Sequence, residues 1–144
     1  MRDYTRIIAW QKADDLTVAV YEMTRHFPKD EIYALTSQLR RAAYSVPANI
    51  VEGSSRESLK DYLHFLHIAR GSLSETRYFI HLAGRLGYLK ADEQRPLTEA
   101  SEETLRVLAG LIRSVEKDAG IVSRTIARVT SLCVLSFGLS AFFL

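Results

Sequence analysis

Lys60, His67, Arg70, Arg77, His81 and Arg85 follow one another at intervals of three, four or seven residues. On a helix turning about 100° per residue, all six fall between roughly 60° and 160° from Tyr62. Positive charge gathered on one surface displaces counterions from phosphates, which is the electrostatic basis of nucleic-acid binding. Arg40 and Arg41 lie where a second helix could extend that patch. Tyr44 and Tyr78 supply rings on which unpaired bases stack. The candidate nucleic-acid-binding residues are therefore Arg40, Arg41, Lys60, Arg70, Arg77 and Arg85. The same pattern also fits a solvated helix face, or arginines paired with an acidic helix of the same or a neighbouring subunit.

Two other chemistries fit less well. Asp61, His64 and His67 stand three apart, but on a helix their directions drift by about 60° per step, so they do not converge on one ion unaided. No Glu-x-x-His pair occurs anywhere in the chain, and di-iron bundles place that pair on two of their helices. Exposed histidines are the expectation, with no metal and no cofactor. Nucleophilic catalysis needs a base and an orienting group near the nucleophile, yet the single cysteine, Cys133, lies in an apolar tail. There is no glycine-rich phosphate loop and no nucleophile elbow, so no enzymatic activity is expected.

The elements that position these residues read as helices. The chain has 144 residues, 47% hydrophobic and 25% charged, which suits one globular domain with one core. No stretch alternates with the period of two that marks a strand. Ala13, Leu16, Val20 and Met23 line a first helix that starts near Ile8 and closes at His26-Phe27-Pro28. A second is predicted from near Asp30 to Gly53 through Leu35, Leu39, Ala42, Ala43, Val46 and Ile50, with Gly53 as its C-terminal cap. A third starts close to Ser58, whose spacing to Asp61 suits a capping box, and runs to about Leu86, with Tyr62, Leu66, Ala69, Leu73, Ile80 and Ala83 inward. Gly71 within it predicts close approach of a neighbouring helix. The fourth runs from about Asp92 to Lys117, with Leu97, Leu105, Leu108, Ile112 and Val115 inward and Pro96 in its opening turns. Short connections predict an all-α, antiparallel up-down-up-down four-helix bundle over residues 1–120.

Pro47 falls mid-way along the second helix. It carries no backbone donor, which leaves the carbonyl of Ala43 unpaired and predicts a kink. Asn49 and Glu52 project beyond it and are expected to bond the freed backbone or a neighbouring subunit. Pro47, Asn49, Glu52 and Gly53 thus form a structural motif.

The segments WQKADDLTVAVYEMTRHFPKDE (10–31), YALTSQLRRAAYSVPANIVEG (33–53) and YLHFLHIARGSLSETRY (62–78) resemble the four-helix-bundle family of 23S ribosomal RNA intervening-sequence proteins. The resemblance covers roughly residues 4–118 in order. It implies a small bacterial bundle that assembles as a homopentamer and whose biochemical role is unsettled in the family. A related branch, the accessory proteins of diversity-generating retroelements, implies a basic pentamer that binds nucleic acid and a reverse transcriptase. This chain departs from that branch in charge: residues 1–120 hold 17 Lys and Arg against 17 Asp and Glu. Within them, residues 33–90 carry eight basic and four acidic side chains, and residues 91–120 four basic and seven acidic.

Residues 121–144 lie beyond the resemblance. Val129 to Leu144 are uncharged, and as a helix they would span about 24 Å against a hydrocarbon core of about 30 Å. Arg124 and Arg128 upstream, with Phe137, Phe142 and Phe143, suit a marginal membrane anchor, a fifth helix buried in an oligomer, or an altered reading frame. With one cysteine and no apolar leader after MRDYTRIIAW, a cytoplasmic location is expected. The expected function is a non-enzymatic homo-oligomer, a pentamer by resemblance, that offers a surface to RNA or DNA. The alternative is a scaffold that recruits a partner protein such as a reverse transcriptase without touching nucleic acid itself.

Overall fold

The computed structural model describes residues 2–120, and the apolar tail lies outside them. Four helices form: α1 (Ile8–Met23), α2 (Leu35–Ser54), α3 (Leu59–Arg85) and α4 (Ala91–Asp118). Each packs on two neighbours, α1 on α2 and α4, and α3 on α2 and α4. With connections as short as Ser55–Ser58 and Leu86–Lys90, this is the antiparallel up-down-up-down bundle. Leu16, Val20, Leu39, Val46, Ile50, Leu66, Leu73, Ile80 and Leu108 fill the centre. They come from the apolar positions spaced three and four apart, and Met23 and Leu105, also expected inward, pack half-buried at its edge. Among the described residues no helix is long and apolar enough to cross a membrane.

The helix ends follow from local chemistry. Ser58 Oγ accepts the Asp61 N–H at 3.0 Å and donates to the Asp61 carboxylate at 2.7 Å, which starts α3 where the sequence predicts. Its other end is a Schellman turn. Gly87 adopts φ +76°, while the N–H groups of Tyr88 and Gly87 donate to the carbonyls of Ala83 at 2.9 Å and Gly84 at 3.1 Å. The Glu93 carboxylate accepts the Lys90 N–H at 2.9 Å at the start of α4.

Three expectations are corrected. First, α2 starts at Leu35 rather than near Asp30, because Lys29–Glu31 form a separate 3-10 turn after Pro28. The carboxylate that meets the α2 start belongs to Glu31: one oxygen accepts the Leu35 N–H at 3.0 Å, and the other accepts the Tyr88 hydroxyl at 2.9 Å. That hydrogen bond is the main reason the Tyr88 phenol is raised above its ordinary value, with desolvation and the Glu31 and Asp30 charges adding to it. Tyr88 also packs on Phe27 with ring centroids 5.7 Å apart. The connection between α1 and α2 is thereby tied to the one between α3 and α4.

Second, Gly53 does not cap α2, which runs on to Ser54 with Ser55 as the cap. A Cβ on Gly53 would lie 2.9 Å from Phe65 Cβ and 3.0 Å from the Tyr62 ring, so glycine stands here because α3 crosses close by. Third, Gly71 has nothing within 4 Å of where its Cβ would be and serves no close packing.

The Pro47 motif is also built differently from its expectation. The helix continues on both sides of Pro47, and the freed Ala43 carbonyl lies 3.0 Å from the hydroxyl of Thr17 on α1. That hydroxyl has one proton and also lies 2.8 Å from the Ala13 carbonyl, so the two acceptors share it. Asn49 and Glu52 do not reach the Ala43 carbonyl. The Asn49 amide donates to the Ser45 carbonyl at 2.7 Å, and Glu52 pairs with Arg56 one turn on. A short side chain on α1 reaches that carbonyl because the two helices pack there, whereas residues beyond Pro47 on α2 project away from it.

Candidate nucleic-acid interface

The cationic residues of α3 share one edge of the bundle, but their surroundings differ. Lys60 in the first turn of α3, Arg70 mid-way and Arg85 in the last turn are exposed, and none forms an ion pair among the described residues. At about 1.5 Å per residue, Lys60 and Arg85 are roughly 38 Å apart along the axis. Arg77 instead approaches Glu102 of α4 at 3.6 Å, and His67 approaches Glu116 of α4 at 4.0 Å. Glu102 of the acidic fourth helix thus neutralises Arg77, whereas Glu116 forms an ion pair with His67 only where that imidazole is protonated. Both pairs are well exposed, so each contributes little, about 0–1 kcal/mol.

Arg40 and Arg41 do not join this edge equally. Arg40 is half-buried: its Nε donates to Thr24 Oγ1 at 2.7 Å, and its guanidinium sits 4.8 Å from the Tyr21 ring centroid. This contact holds the Arg40 guanidinium against the end of α1, with neither partner neutralising its charge. Arg41 remains exposed and donates to the Gln38 side chain at 3.3 Å. Tyr44 and Tyr78 are both exposed, Tyr78 to 58%. His64 packs edge-on against Phe65, and among the described residues no three His, Cys, Asp or Glu side chains are gathered to hold a metal.

Packing α3 on α4 creates a feature the sequence does not announce. A pocket of about 340 Å³ opens beside the stripe, walled by Arg77, Tyr78, Ile80 and His81 from α3 and by Gln94, Thr98 and Ser101 from α4. The α4 wall was missed because its spacing of four and three reads as an ordinary polar helix face. A larger cleft, about 630 Å³, lies between α1 and α4 over Leu16, Ala19, Leu97 and Ala100. Asp15, Glu22, Glu93 and Glu103 rim it, so its charge disfavours phosphate.

A family model described as 23S rRNA-intervening sequence protein matches residues 5–110. The chain belongs to this family. A solved structure of a protein of unknown function from the S23 ribosomal protein family of Bacteroides thetaiotaomicron is similar, with a TM-score of 0.68. The two chains are 22% identical, over 74% of this one and 96% of the other, a likeness that speaks for the fold. No curated protein matches the chain.

Proposed function

We propose that this 23S rRNA-intervening-sequence family member is a non-enzymatic, cytoplasmic homo-oligomer, pentameric as the family resemblance implies, that holds RNA or DNA along α3. The observation that carries the reading is the row Lys60, Arg70 and Arg85, exposed on one edge and without carboxylate partners among the described residues. Oligomerisation repeats that row, so modest charge on each subunit adds up to an extended cationic surface. The neutral total of residues 1–120 keeps the affinity per subunit low.

The test is fluorescence anisotropy with single-stranded and duplex probes across a salt series, comparing the protein with the variant K60Q/R70Q/R85Q. Removing three phosphate contacts is expected to flatten the slope of log K against log salt by about 2 for single strands. Binding with unchanged affinity and slope refutes this surface.

A second reading is supported by the apolar side chains left outside. Val18 and Tyr21 on α1, Tyr44 on α2 and Ile68 on α3 are each 39% exposed or more. They suit a scaffold that recruits a partner protein such as a reverse transcriptase. Absence of salt-dependent nucleic-acid affinity together with a stoichiometric co-purifying polymerase favours this reading over the first.

A further inference from the structure

We propose that the pocket between α3 and α4 receives one unpaired nucleotide of a single strand and favours bases with an exocyclic amino group. This rests on the nucleic-acid reading above and adds a base-recognition site to a surface that otherwise contacts only phosphates.

The size and the α3 wall come first. A volume of about 340 Å³ suits one nucleotide and is far too small for a duplex. Arg77 and His81 stand one helical turn apart and offer hydrogen-bond donors to a phosphate. Glu102 lies 3.6 Å from Arg77, but that pair is exposed enough for a phosphate to displace it. Tyr78, 58% exposed, lies between the two in sequence and supplies a ring face for a base. Ile80, 1% exposed, closes the floor with apolar surface.

The α4 wall supplies the selectivity. The Thr98 hydroxyl donates to the Gln94 carbonyl at 3.1 Å, and the Ser101 hydroxyl donates to the Thr98 carbonyl at 2.7 Å. With its proton engaged, the part-buried Thr98 hydroxyl keeps only accepting capacity toward the pocket, while Ser101, 1% exposed, lies deeper in the wall. The Gln94 amide makes no side-chain hydrogen bond among the described residues, and it packs into a notch at Gly84. A Cβ there would fall 2.2 Å from Gln94 Oε1. Glycine on α3 therefore makes room for an amide on α4 that holds both a donor and an acceptor unspent. The Thr98 oxygen and the Gln94 amide together present two acceptors against one NH2 group. They favour adenine and cytosine, with an exocyclic amino group beside a ring-nitrogen acceptor, over uracil or thymine, which carry a carbonyl in its place.

The test measures anisotropy with oligo-A, oligo-C and oligo-U RNA, oligo-dA and oligo-dT, a duplex, and free AMP, using the full chain and the variants Q94M and Y78A. Oligo-A and oligo-C are expected to bind about tenfold more tightly than oligo-U. Q94M, close in volume to the parent, is expected to remove that preference while leaving duplex binding unchanged. Y78A is expected to weaken every single strand by about tenfold. RNA and DNA strands of the same base share the pocket chemistry, and comparing oligo-A with oligo-dA tells which the protein takes. Equal binding of all homopolymers, or a preference that survives Q94M, overturns the pocket while the charged surface stands if K60Q/R70Q/R85Q still weakens binding. Loss on Q94M confined to free AMP overturns the assignment to a strand. No binding of any nucleic acid overturns both readings.

Discussion

At the scale of single residues, the clearest feature is the hydroxyl that meets the carbonyl freed by a proline. Thr17 spans from α1 to the Ala43 carbonyl on α2, an acceptor that Pro47 leaves without its helical partner. Replacing Thr17 by valine keeps the shape and removes the donor, and it is expected to cost about 1–3 kcal/mol in urea unfolding. In a Pro47→Ala background position 47 regains its N–H, so the Thr17→Val cost should shrink by about 1 kcal/mol. An equal cost in both backgrounds would show that the hydroxyl does not serve that carbonyl. Tyr88 gives a pH-dependent counterpart. Its phenol is raised above the ordinary value of about 10 because the protonated form donates to Glu31. The stability it contributes is complete below about pH 10 and is lost as pH rises through the raised value. Tyr88→Phe is therefore expected to lower the thermal midpoint at neutral pH, and the gap from the parent should close in alkaline buffer.

At the scale of elements, the glycines of α2 and α3 separate crossing geometry from plain helix propensity. Gly53 lies where α3 crosses α2, with Phe65 Cβ and the Tyr62 ring in the space a methyl group would need. Tyr62 is itself buried at 2% exposure, and its phenol is raised by that burial and lowered in part by Arg2, whose guanidinium lies 4.5 Å from the ring centroid. Little there can give way, so Gly53→Ala is expected to destabilise by about 1–3 kcal/mol. Gly71, one helix on, faces open space, and Gly71→Ala should stabilise by about 0.5–1 kcal/mol through helix propensity alone. Parallel denaturant curves of the two variants check both signs. From sequence alone, Gly53 is a helix cap and the close approach falls at Gly71. In the fold the approach is at Gly53 and Gly71 faces open space, because the distance to a neighbouring helix is not written in the chain's own periodicity.

At the scale of the whole molecule, the exposed apolar side chains bear on assembly. Ser45 and Ser72 hydroxyls lie 3.1 Å apart and join α2 to α3. Tyr44 neighbours Ser45 on α2, and Ile68 lies one turn before Ser72 on α3. Both are well exposed, at 46% and 39%. If this face is the one covered by a second copy, Tyr44→Glu with Ile68→Glu should reduce the particle to a 16.3 kDa monomer by light scattering. A parent that already runs as the monomer refutes the oligomer, and a variant whose mass is unchanged moves the interface to another face.

The periodic spacing of Leu, Val, Ile and Ala, with Ser58 as a start signal, was enough to read four helices, their order and most of their buried residues. Those properties are local, since hydrophobic period and cap chemistry depend on residues within a few turns of one another. The candidate surface was only half legible. The alignment of Lys60, Arg70 and Arg85 follows from helical geometry alone, whereas the withdrawal of Arg40 onto Thr24 and the pairing of Arg77 with Glu102 do not. Nor do the notch that Gly84 opens for Gln94 and the hydroxyl that Thr17 brings to Ala43. Each depends on which face of one helix meets which face of another, at separations of roughly ten to thirty residues along the chain, and only packing determines that.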